Sequence, residues 1–284
     1  MNIVYLNGHY LTTEKAKVSV LDRGFLFSDG IYEVISVYNG KPFLAHKHID
    51  RLNHSAQAIG LLQPFSQAQW LRIFSKLLKL NQIKTENKSL YLQMTRGVDS
   101  TRSLALPKSH LKPTVFVMLK ELIQPDYSNL SKGFKVITRE DIRWKLCHIK
   151  TTALLPNILM QQEALNEGAN EVLLIRDKKI IEGASSNVFI AKSNVIYTPP
   201  LSSSLLGGTT RALVIELAQK NKLSLQEKQL TLTRLLNADE VWITSSSRDV
   251  MPISFVNDQK IANGKPGPLW KKMHSLFQTH KNSL

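Results

Sequence analysis

The sequence predicts an α+β protein built as two α/β domains. The N-terminal one, over residues 1–121, is a sheet domain with two helices. A linker over 122–133 leads to a strand-rich pseudo-barrel domain over 134–284. Three observations carry this prediction. The chain has 284 residues, against ~100–200 for a typical domain. Short apolar runs closed by turn residues alternate with blocks of helical periodicity. Pro125, Asp126, Ser128, Asn129 and Gly133 interrupt both patterns near the middle of the chain.

Residues 3–6 and 9–11 read as strands joined by Asn7-Gly8, and residues 32–38 and 41–44 as strands joined by Asn39-Gly40. Asn-Gly suits a two-residue turn because both central positions need positive φ. Between these hairpins, Asp22-Arg23-Gly24 and Ser28-Asp29-Gly30 read as a loop. A helix over 45–59 gathers Ile49, Leu52, Ala56 and Ile59 on one face. Ser66 with Gln69 is a capping-box signature, and Trp70, Ile73, Phe74, Leu77 and Leu78 follow at helical spacing. Strands return at 89–95 and 114–119. Beyond the linker, strands are expected at 134–138, 171–176, 188–191, 195–198, 240–244 and 253–256. Helices are expected over 156–167, 209–222 and 268–281.

Lysine and arginine number 37 and aspartate and glutamate 22, a net charge of +15. A hydrophobic fraction of 43% and a charged fraction of 21% exclude a disordered or collagen-like chain. One cysteine, Cys147, excludes an intramolecular disulfide and a cysteine-rich zinc site, and fits a reducing cytoplasm. The apolar run Ile3-Val4-Tyr5-Leu6 is too short for a signal peptide. No segment approaches the ~20 apolar residues of a membrane span, so no membrane partner is expected. The charge itself leaves nucleic acid, an anionic surface or anionic small molecules open. Nucleic acid is disfavoured because the basic residues are scattered, and because Trp270 and Phe277 fall on the apolar stripe of the C-terminal helix. His46, His48, Asp50 and His54 resemble a metal cluster, but His46 and His48 stand two apart on a helix and share no face. No metal is expected.

Four stretches carry groups that bind anions or move protons. Lys150 ends a mixed apolar run; it is either a solvated strand end or an inward-facing amine, which burial makes nucleophilic. Glu182-Gly183-Ala184-Ser185-Ser186-Asn187 sets an acid before a loop of small donors, and equally describes an ordinary turn. Gly207-Gly208-Thr209-Thr210-Arg211 opens a helix; it offers either a phosphate site or plain capping by Thr209. Thr244-Ser245-Ser246-Ser247-Arg248 follows a strand and is either a lined site or a serine-rich turn.

Taken together and in this order, these stretches resemble the fold-type IV pyridoxal-phosphate enzymes, the class-IV aminotransferases. Within them the chain is most similar to the D-amino-acid aminotransferases. The resemblance spans nearly the whole chain. Its specific marks are Asp22-Arg23-Gly24, Asp29-Gly30-Ile31-Tyr32-Glu33-Val34, His48-Ile49-Asp50-Arg51-Leu52, Glu140-Asp141-Ile142-Arg143-Trp144, Ile149-Lys150, Glu182 with Ser185-Ser186-Asn187, and Thr209-Thr210-Arg211. It implies the cofactor pyridoxal 5′-phosphate in a cleft between the domains. By resemblance Lys150 holds the cofactor as a Schiff base, Glu182 faces its pyridine nitrogen, and Arg51, Thr209, Thr210 and Ser246 hold its phosphate. Tyr32 is implied near the lysine and the substrate carboxylate. The implied reaction is ping-pong transamination between a D-amino acid and a 2-oxo acid, in a homodimer.

The chain departs from the D-amino-acid pattern in two places. That pattern has an Arg-x-His pair after Thr-Arg-Gly; here Arg102 fits the arginine with one residue inserted, and Leu104 stands at the histidine. Arg248 also stands where the family has a small or hydroxyl residue, and is read as a further charge for the substrate carboxylate. The related alternatives are 4-amino-4-deoxychorismate lyase, which releases pyruvate, and branched-chain aminotransferase.

Overall fold

The computed structural model describes residues 2–123 and 133–283. The linker expected at 122–133 therefore lies largely outside the described residues, including Pro125, Asp126, Ser128 and Asn129. Two compact units emerge. Residues up to Leu122 form the first together with the short segment Ile149–Ala153; the described parts of Ile123–His148 and Leu154–Ser283 form the second.

The first unit contains β1 (Ile3–Leu6), β2 (His9–Thr12), α1 (Arg23–Phe27), β3 (Gly30–Tyr38), β4 (Lys41–Pro42), α2 (Ala45–Ala58), α3 (Gln67–Leu80), β5 (Lys88–Thr95) and β6 (Thr114–Glu121). Its strands form one sheet in the order β2-β1-β6-β5-β3-β4. The two Asn-Gly turns form as expected, with positive φ at Asn7, Gly8, Asn39 and Gly40. Both halves of the capping box close at the start of α3: Gln69 N donates to Ser66 Oγ at 3.4 Å, and Ser66 N to Gln69 Oε1 at 2.8 Å. Trp70, Phe74 and Leu77 of α3 join Ile49 and Leu52 of α2 over Ile31, Ile35, Leu90 and Val117 of the sheet. The loop read at 22–30 contains the short helix α1, whose start is capped by Asp22 Oδ1 accepting from Gly24 N at 2.8 Å.

The second unit contains β7 (Phe134–Glu140), α4 (Leu155–Asn166), β8 (Glu171–Arg176), β9 (Lys179–Gly183), β10 (Asn187–Lys192), β11 (Val195–Thr198), α5 (Thr209–Lys220), β12 (Leu225–Glu227), β13 (Leu230–Thr231), α6 (Leu232–Leu236), β14 (Glu240–Ser245), β15 (Asp249–Val256), β16 (Gln259–Lys260) and α7 (Pro268–Asn282). Its sheet runs β12-β11-β10-β14-β15-β7-β8-β9-β13, with β16 beside β15, and curls into a half-barrel. The pairs β7–β8, β7–β15 and β11–β12 are parallel. Trp270 and Phe277 of α7 are buried, as their position on the apolar stripe implied. The start of α7 is held by buried Glu240, which accepts from Leu269 N at 3.0 Å and Trp270 N at 2.7 Å, an anion at the positive end of the helix.

Two local readings change. The residues leading to Lys150 form bends and turns, and the strand read there is absent; the chain is held instead by a single bridge between Thr151 and Ile31. The second change is an added strand: β9, not expected from the sequence, carries Glu182 up to the small-residue loop that follows it.

Candidate active site

Lys150 is fixed in the first unit by its own backbone. Its N–H donates to Ser55 Oγ of α2 at 3.1 Å, and its carbonyl accepts from Tyr32 N of β3 at 3.0 Å. Ile149 beside it is buried in the first unit's core. The half-buried ammonium then lies over the Tyr32 ring, 4.2 Å from its centre, within range of a cation–π attraction. The structure thus brings together the lysine and tyrosine singled out from the sequence.

Arg51 projects from the same helix as Ser55. It grips buried Glu33 of β3 with two parallel bonds, Nε to Oε1 at 2.8 Å and Nη2 to Oε2 at 2.7 Å. His48, one turn earlier, shares that carboxylate at 2.7 Å. His48 is therefore committed to a carboxylate, and His54 Nδ1 lies 3.2 Å from the Asp50 carbonyl. Burial pushes the Glu33 carboxyl up, but Arg51 and His48 pull harder and hold it at about 2. Burial holds His48 below its ordinary value, against the pull of Glu33.

These shifts set a pH dependence. Glu33 binds a proton less readily folded than unfolded. Its contribution to stability is complete above about pH 4.5 and is lost as pH falls through about 2. Urea titrations between pH 5 and pH 2 should give wild-type protein the steeper loss of stability. Glu33→Gln should remove up to about 1.4 kcal/mol per pH unit of that slope. Equal slopes would show that Glu33 keeps an ordinary pKa.

The second unit carries the other predicted residues. Glu182 is buried and its two oxygens are used differently. Oε1 accepts from Arg143 Nη1 at 2.7 Å; Oε2 accepts from Leu206 N at 3.0 Å and Asn187 Nδ2 at 3.4 Å. Asn187 also donates to the Leu206 carbonyl at 2.9 Å, so one amide ties Glu182 to the chain entering α5. That chain must be glycine at 208, because a Cβ there would collide with the Asn187 side-chain oxygen. Gly208 is the N-cap of α5, and no side chain caps it. Capping by Thr209, one of the two sequence readings, is therefore not what starts this helix. Thr209 and Thr210 are buried in its first turn. Ser246 is half-buried in the turn between β14 and β15.

Two arginines were also expected at the substrate. Arg102 is on an exposed loop with its guanidinium over the Phe27 ring, 5.4 Å from the centre, and Leu104 is 85% exposed beside it. Arg248 is drawn inward onto Glu171, a carboxylate with no exposure, to which Ser185 Oγ and Ser186 Oγ also donate at 2.9 and 3.2 Å. Its charge is thus opposed by a buried carboxylate, a partner that the sequence reading of Arg248 as a further charge for the substrate carboxylate did not include. Among the described residues, no group of three His, Cys, Asp or Glu is placed to hold a metal ion. No helix among them is long and apolar enough to cross a membrane.

The family model for class IV aminotransferases matches residues 30–256, taking in Tyr32, Arg51, Lys150, Glu182, the start of α5 and Ser246. The chain belongs to the class IV aminotransferase family. Among curated relatives, it is 40% identical over 280 residues to a D-alanine aminotransferase of Bacillus licheniformis, covering 97% of this chain and 95% of that one. It is 37% identical to a D-alanine aminotransferase of Staphylococcus aureus, covering 100% and 99%. Its fold is shared with solved branched-chain aminotransferases. One is that of the thermophilic archaeon Thermoproteus uzoniensis with norvaline, with a TM-score of 0.86, 24% identity and coverage of 98% and 92%. Another is that of Escherichia coli, with a TM-score of 0.86, 23% identity and coverage of 96% and 92%. In this aminotransferase the residues that sequence reasoning passed over are Arg143, Asp141 and Glu171. Each acts on a partner more than ten positions away, and only the presence of Asp141 and Arg143 within one distinctive stretch hinted at them.

Proposed function

We propose that this aminotransferase transfers the amino group of a D-amino acid to a 2-oxo acid, using pyridoxal 5′-phosphate. The observation that carries the reading is its near full-length relation to D-alanine aminotransferases at 36–40% identity.

The donor set fits the cofactor's chemistry. Two buried hydroxyls at the start of α5, a helix end that no side chain caps, suit a phosphate. A buried carboxylate held by one arginine suits a protonated ring nitrogen. A primary amine anchored by its backbone suits an aldehyde carbon. When bound, the cofactor supplies a carbonyl that condenses with amines and a ring that accepts electrons.

Each residue then has a task. Lys150 Nζ would hold the cofactor and, as a free amine, would take the proton from the substrate α-carbon. Tyr32 keeps Nζ over its ring face. Glu182 stands at the ring nitrogen. Arg51, Thr209, Thr210 and Ser246 hold the phosphate, with Glu33 fixing the angle of the Arg51 fork. Arg102 is the candidate for the substrate carboxylate. Arg248, engaged by Glu171, is assigned to bracing the β14–β15 turn. The same reading carries a cytoplasmic homodimer acting on small molecules, with no nucleic-acid or membrane partner.

The test is a set of half-reactions followed through the absorption of the bound cofactor. D-Alanine and D-glutamate should convert it to the pyridoxamine form. Conversion by L-leucine alone overturns the D-amino-acid assignment. Pyruvate released from aminodeoxychorismate without that conversion makes the enzyme the lyase.

A further inference from the structure

We propose that Arg143, aimed by Asp141, is a positioning residue that keeps Glu182 a fixed anion at the ring-nitrogen end of the cofactor. This rests on the assignment of Glu182 to that end.

The geometry is a chain of four charges within the second unit. Asp141 takes the Arg143 guanidinium edge-on, with Nε donating to Oδ1 and Nη2 to Oδ2, each at 2.9 Å. The Arg143 backbone N–H also donates to Asp141 Oδ1 at 3.0 Å. That leaves Nη1 for Glu182, which it reaches at 2.7 Å. Asp141 is pinned in turn by Arg176, whose Nη2 donates to Oδ2 at 2.8 Å. Side-chain exposure is 0% for Asp141, 8% for Arg143 and 4% for Glu182, so water does little to screen these charges.

The stoichiometry gives the arrangement its meaning. Arg143 is shared by two carboxylates, and Arg176 supplies a second guanidinium to Asp141, so the four charges balance. Glu182, at the end of the chain, has only a share of Arg143 and can pair with a further cation. A buried glutamate with no arginine would take up a proton; one with an arginine to itself would form a closed ion pair. The groups facing Glu182 are Arg143, the Leu206 N–H, the Asn187 amide and, one step back, Asp141. Burial pushes its carboxyl up to about 7, against the pull of Arg143 and the Leu206 N–H, with Asp141 adding to the push. Removing Arg143 takes away the largest pull against burial and leaves the Leu206 N–H.

The experiment uses holoenzyme carrying ring-¹⁵N pyridoxal phosphate, with the ring-nitrogen resonance followed against pH. Wild-type enzyme should keep the ring nitrogen protonated well above neutral pH, and Glu182→Gln should not. Arg143→Met should lower the midpoint of ring-proton loss by at least about one pH unit, tenfold in the proton equilibrium. Arg143→Lys, which keeps the charge and loses the Asp141 fork, should lie between the two. If Arg143→Met does not fold, the Arg143→Lys midpoint decides alone. A wild-type midpoint in the folded arginine variant, with Glu182→Gln shifted, overturns the proposal while leaving the Glu182 assignment standing. An unshifted midpoint in Glu182→Gln overturns that assignment itself, and the proposal with it.

Discussion

Replacing Lys150 by alanine should reduce transamination by about 10⁴-fold or more, the upper range for a single positioned acid–base group and about 5.5 kcal/mol in the barrier. The Lys150 backbone donates to Ser55 and accepts from Tyr32, so alanine at 150 keeps both contacts and the fold should be unaffected. The variant separates chemistry from architecture. Borohydride should attach the cofactor permanently to the wild-type chain and not to the variant. The variant should still take up cofactor through Arg51 and the start of α5. Permanent attachment in Lys150→Ala would move the covalent role to another amine. A substantial rate in the variant would remove the proton-transfer role from Nζ.

The second large effect is on stability. Arg248→Met should destabilise the second unit by about 3 kcal/mol, because it leaves Glu171 as a buried charge with only hydroxyl and N–H donors. At roughly 2–4 °C per kcal/mol that lowers Tm by about 6–12 °C. The double variant Arg248→Met with Glu171→Gln removes both charges and should recover most of the loss. A double variant no more stable than the single would show that Arg248 does not act through Glu171. A changed substrate profile in a stable double variant would return Arg248 to the substrate carboxylate.

What the sequence made legible follows from how far each signal reaches along the chain. The Asn-Gly hairpins and the Ser66–Gln69 box are local: every group that forms them lies within a few residues. The strand carrying Glu182 was hidden because its hairpin turns through Asp177-Lys178, both at positive φ, with lysine where glycine usually advertises such a turn. The start of β15 was hidden by Pro252, which lies inside the strand opposite Trp242 and reads as a boundary. The short strand Lys179–Gly183 and the helix Leu232–Leu236 hold too few residues to show a period. Lys150, Glu182 and the start of α5 were legible only as a combination, since each alone also describes a common turn or cap. Partnership was the least legible property. Nothing near position 248 announces Glu171, and nothing near 182 announces Arg143, because those pairs span 77 and 39 residues.

The segment Ile149–Ala153 has a consequence for the order in which the molecule is made. It belongs to the first unit, yet the chain on either side of it belongs to the second. On a ribosome, where domains fold from the N-terminus as they emerge, the strands β1 to β6 all emerge ahead of residue 149. Until then the start of β3 shows an unpaired edge at Ile31 and Tyr32, where Thr151 and the Lys150 carbonyl will bond. An edge of that kind invites pairing with another nascent chain. Lys150, the residue to which we assign the chemistry, thus arrives in a strip that also closes that edge, and a polypeptide stopped short of it would lack that amine and the edge's protection together.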